Sequence, residues 1–71
     1  MVEVFKTNVE GVQTAATLIE HLQSLYPDAR ITFDLEDCDR ILRIAPKAIP
    51  IEVDSVVELV QRHGQWIELL K

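Results

Sequence analysis

Ile31-Thr32-Phe33-Asp34-Leu35-Glu36-Asp37-Cys38-Asp39-Arg40-Ile41-Leu42-Arg43-Ile44 reads as two short strands joined by a tight acidic turn. Ile31, Phe33 and Leu35 alternate with Thr32 and Asp34, the period-two pattern of a half-buried strand. Asp37-Cys38-Asp39 is turn material, because aspartate tolerates turn dihedrals and bonds nearby backbone. On the return strand Leu42 and Ile44 take the core face, leaving Ile41 and Arg43 on the opposite one.

Working outward, a helix is expected on each side of this hairpin. Val12, Ala15, Ala16, Ile19, Leu22 and Tyr26 recur at helical spacing, with Leu18 and Leu25 widening the stripe. Thr7-x-x-Glu10 has capping-box spacing, so the helix is predicted to begin between residues 8 and 12. It ends at Pro27, which disfavours helical geometry in the residue before it. Ala45 to Pro50 is a Pro-bounded loop, and a second helix is predicted from Val53 to His63, with Val53, Val56, Val57 and Val60 inward. Gly64 suits the left-handed position just past its end. Val2–Thr7 and Gln65–Leu70 complete the pattern as the first and last strands. The order βαββαβ implies an α+β, ferredoxin-like sandwich: a four-stranded antiparallel sheet, order 4-1-3-2, with both helices on one face. Residues 1–71 are expected to form a single domain.

Composition narrows the class. The chain has 48% apolar residues, two Gly and three Pro, which argues against disorder. Twelve acids against seven bases give a net charge of −5, which disfavours nucleic-acid binding. No apolar run approaches the ~20 residues of a membrane span. The N-terminus lacks a signal-peptide core, and the one cysteine, Cys38, has no internal partner. These features point to a cytoplasmic protein that binds neither nucleic acid nor membrane.

The element order, the Asp34-Leu35-Glu36 ending of the second strand, and the Val56-Val57-x-Leu59-Val60 then Gly64-Gln65-Trp66 pattern resemble a heavy-metal-associated, metallochaperone-like domain. The resemblance spans almost the whole chain and implies the ferredoxin-like fold. In that family a CxxC in the first strand–helix loop binds metal through soft thiolates. The matching loop here is Val9-Glu10-Gly11-Val12, so the resemblance carries over no metal ligand and no cofactor. In outline the chain is also similar to small bacterial proteins that keep this fold without the CxxC.

Two constellations bear on function. Asp34, Glu36, Asp37, Cys38 and Asp39 offer oxygen and sulfur ligands, though their spacing is not that of an EF-hand. The plainer reading is a solvated turn whose charges guard an edge strand. Acidic neighbours also disfavour a reactive Cys38 thiolate. His21 and His63 lie too far apart in sequence to form a ligand motif, and Ser24 and Ser55 lack a nucleophile context. With no phosphate loop either, catalysis is not expected. The second constellation is the sheet face away from the helices, where alternation is predicted to place Phe5, Ile41, Trp66 and Leu70. Trp66, Phe5 and Ile41 would form an apolar row bordered by Glu3, Arg43 and Glu68, the pattern of a contact site. The expected function is therefore a non-catalytic interaction or self-associating domain, a homo-oligomer being the simplest case. The alternatives are a cation-binding module at the acidic turn or a small-ligand sensor domain.

Overall fold

A computed structural model describes residues 1–70. The elements are β1 (Glu3–Thr7), α1 (Val12–Leu25), β2 (Arg30–Asp34), β3 (Ile41–Ala45), α2 (Val53–Arg62) and β4 (Ile67–Leu69). The strands form one sheet in the order β2-β3-β1-β4, every neighbouring pair antiparallel. Counted from the other edge this is 4-1-3-2, the ferredoxin-like arrangement that the element order implied.

The core is assembled from alternate strand positions and one stripe of each helix. Phe5, Ile31, Leu42, Ile44 and Ile67 pack with Ala15, Leu18 and Leu22 of α1 and Val56 and Val60 of α2. The stripe on α1 is turned relative to the expected one. Val12 and Ala16 are exposed and Leu25 is largely so, while Leu18 and Leu22 are fully buried. Seven apolar residues cover so much of this helix that periodicity leaves the inward direction open; packing against the sheet selects the Ala15–Leu18–Leu22 side.

The helix ends obey local chemistry, with one departure. α1 begins at Val12, with Gly11 as N-cap and no side-chain cap. The expected capping box does not form, because Thr7 is the last residue of β1 and its hydroxyl is turned inward. At the other end Gln23 Nε2 donates to the carbonyls of Ala29 (2.8 Å) and Tyr26 (3.0 Å), closing the connection to β2. Tyr26 is buried, and its hydroxyl accepts a bond from Glu52 N at 3.1 Å, pinning the start of α2.

α2 ends in a Schellman motif. Gly64 N bonds Gln61 O at 2.9 Å and Gln65 N bonds Val60 O at 3.3 Å, with Gly64 at φ +81°. An added Cβ there would meet nothing within 4 Å. Gly64→Ala is therefore expected to cost about 1 kcal/mol, all of it from the left-handed backbone. Urea unfolding checks this, and an unchanged midpoint would contradict it.

The register overturns one expectation about the open face. Phe5 lies opposite Leu42 on β3 and Leu69 on β4, in a row that faces the helices, and it is 0% exposed. Neighbours across antiparallel strands share a face, so Phe5 belongs with Leu42 in the core and not beside Trp66. Val4 and Lys6 take its place on the open face.

Candidate functional site

The acidic turn spans the residues between β2 and β3, and its carboxylates build it. Asp34 Oδ1 accepts the backbone N–H groups of Glu36 and Asp37, both at 3.3 Å. Asp37 Oδ1 accepts Asp39 N at 2.8 Å, and the Asp37 carbonyl accepts both Arg40 N (3.0 Å) and Arg40 Nη1 (3.1 Å). The chain then enters β3 through Arg40 at φ 46°, a left-handed position uncommon for a residue with a Cβ. Asp39 also meets Lys6 Nζ at 3.5 Å.

Of the five candidate ligands, the fold brings three together: single atoms of Asp37, Cys38 and Asp39 lie within 4.8 Å of one another. Asp34 and Glu36 stand outside that group. Asp37 and Cys38 are exposed, and Asp37 already spends an oxygen on the turn. The arrangement answers to turn chemistry, with Asp34 and Asp37 accepting the N–H groups that the bend leaves over.

The loop through Val9, Glu10 and Gly11 runs between β1 and α1. Val9 is fully buried there, while Glu10, Gly11 and Val12 are exposed. It presents neither sulfur nor imidazole, so a soft metal finds no ligand in it.

Two histidines distant in sequence meet in the fold. The rings of His21 on α1 and His63 at the end of α2 have centroids 4.6 Å apart, tilted by 46°. His63 Nδ1 lies 2.9 Å from the Leu59 carbonyl, capping α2. No local pattern could have revealed this contact, because it depends on how α1 and α2 cross.

Two full rows cross the open sheet face. Thr32, Arg43, Val4 and Leu70 form one, and Asp34, Ile41, Lys6 and Glu68 the other. Ile41 is on this face as expected but only 7% exposed, and Arg43 is exposed. Trp66 and Leu70 are 47% and 41% exposed. Trp66 N donates to Asn8 Oδ1 at 2.7 Å, which holds the tryptophan at one end of the face. Lys6 and Glu68 stand between Trp66 and Ile41, so the expected apolar row is interrupted.

A further apolar surface lies on the helix side of the molecule. A groove runs between α1 and β2, floored by Val12, Ala16, Ile19, Phe33 and Leu35. Val12 is 77% exposed, and Ile19, Phe33 and Leu35 are half-buried. Pattern reading marked these residues as core, which hid the groove. Asp34 and Glu36 line one end of it.

Comparison of the chain with protein-family models, with curated proteins and with solved structures returned no match. No helix among the described residues is long and apolar enough to cross a membrane.

Proposed function

We propose that this chain is a non-catalytic association domain, whose simplest partner is a second copy of itself. The observation that carries the reading is the apolar groove along α1 and β2, where Val12 stands 77% exposed. Apolar surface with a polar border is the mark of a contact site. The resemblance to heavy-metal-associated domains fits the same reading, since the fold is kept and the thiolate pair is not. The lone exposed Cys38 supports a cytoplasmic setting, where a thiol stays reduced.

Light scattering over a dilution series tests it. We expect a dimer at concentrations up to about 1 mM, unaffected by reductant; a contact weaker than about 4 kcal/mol would not form there. Ala16→Lys, a change on an exposed helix position inside the groove, is expected to return the chain to monomer. A monomer at every concentration would refute the association reading, and a dimer indifferent to Ala16→Lys would refute the groove.

A second reading places the contact on the open face, favoured by the exposure of Trp66 and Leu70 beside Arg43 and Ile41. The chain has one tryptophan, so its emission discriminates the two. Association through the groove leaves the Trp66 spectrum unchanged on dilution. Association through the open face shifts it to the red as the dimer comes apart.

A further inference from the structure

The geometry points to an antiparallel pairing of β2 with β2 of a second copy, about a twofold axis through Thr32, joining two sheets into one. This inference rests on the association reading above and specifies its partner and register.

The direction of the free backbone groups comes first. Leu70 N bonds Val4 O and Asn8 N bonds Trp66 O, so even-numbered residues of β1 face β4. In an antiparallel ladder the bonding side alternates along a strand. Glu3 and Phe5 therefore face β3, Leu42 and Ile44 face back to β1, and Ile41, Arg43 and Ala45 face β2. Arg30, Thr32 and Asp34 spend their groups on β3, which leaves those of Ile31 and Phe33 pointing out of the sheet. Among the described residues no turn, loop or cap bond uses them. β2 has no Pro, and β4, the opposite edge, is shorter, with three residues against five.

The side chains then match themselves. A twofold axis at Thr32 sets Ile31 against Phe33 of the second copy, an apolar pair on the helix side of the sheet. On the open side it sets Arg30 against Asp34 of the second copy, once on each side of the axis. Both residues are exposed, and neither has an ion-pair partner among the described residues. The carboxylate of Asp34 uses Oδ1 for its own turn, leaving Oδ2 to receive the guanidinium. Shifting the register by one residue would put apolar against polar faces. Shifting it by two brings Arg30 either against Thr32, which loses the charge match, or against Glu36, which lies beyond the end of β2. The twofold also brings the two α1 helices side by side beneath the seam, where Val12, Ala16 and Ile19 of each line the groove.

Disulfide trapping tests the register in a Cys38→Ser background. Thr32 would face itself in a non-hydrogen-bonded pair, with Cα atoms about 4.5 Å apart, within disulfide range. Arg30 would be about 14 Å from its own copy, four residues along the seam. Thr32→Cys is expected to form a covalent dimer under mild oxidation at concentrations where Arg30→Cys does not. Arg30→Asp is expected to raise the dimer dissociation constant about tenfold, since it turns two attractive cross-strand pairs repulsive. Circular dichroism confirms that each variant is folded. A dimer that persists while Thr32→Cys fails to cross-link, or cross-links no better than Arg30→Cys, overturns the pairing and leaves the association reading standing. The absence of any dimer overturns both.

Discussion

Phe5→Ala is expected to lose about 3–5 kcal/mol of folding free energy, the range for truncating a fully buried phenylalanine. A domain of this length holds only about 4–10 kcal/mol in total. The variant should therefore unfold at a small fraction of the wild-type urea concentration, or be partly unfolded in buffer. The cause is position: Phe5 is the largest of the fully buried side chains and sits on the central strand pair, between Leu42 and Leu69. Trp66→Ala is the matched control. Trp66 is bigger but half in solvent, and its backbone bond to Asn8 survives the substitution, so a loss of about 1 kcal/mol or less is expected. Urea unfolding followed by circular dichroism compares the two. If Trp66→Ala proved the more damaging, Phe5 would lie on the open face and the register would be off by one.

Thr7→Val should cost about 1–3 kcal/mol although it changes almost no volume. The Thr7 hydroxyl is buried, donates to Arg40 O at 2.6 Å and accepts Val9 N at 3.2 Å. Valine fills the space but orphans both groups. Two awkward places in the chain then lose their tie. One is the turn into α1, with Val9 inside; the other is the entry to β3, where Arg40 has positive φ. Thr7→Ser keeps the hydroxyl and gives up one methyl group, for a smaller loss of about 1 kcal/mol. Hydrogen exchange adds a local readout. The Val9 amide should exchange faster in Thr7→Val than in Thr7→Ser, beyond what the difference in global stability explains. Equal stability of the valine variant and wild type would show that the bond carries nothing.

Both effects concern residues whose neighbours are far away in the chain. Phe5 belongs to a run, Val2 to Thr7, in which both alternating sets contain apolar residues, so alternation alone cannot say which set faces inward. Thr7 had a competing local role as a helix cap, and the distant Arg40 carbonyl won its hydroxyl. The groove residues Val12, Ala16 and Ile19 look like core because helical periodicity records apolar spacing and not what covers it. The acidic turn is different. Every hydrogen bond that the Asp34 and Asp37 carboxylates make is to a residue within three positions, so its nature as a turn was legible.

Element order, the hairpin, the Gly64 stop and the strand order are thus properties of the amino-acid sequence by itself. They rest on interactions among near neighbours and on the few ways two helices can cover four strands. The facing of β1, the inward side of α1, the meeting of His21 with His63 and the free outward groups of β2 belong to the tertiary structure. Each depends on which strand or helix lies alongside, and that is settled only when the whole core packs at once.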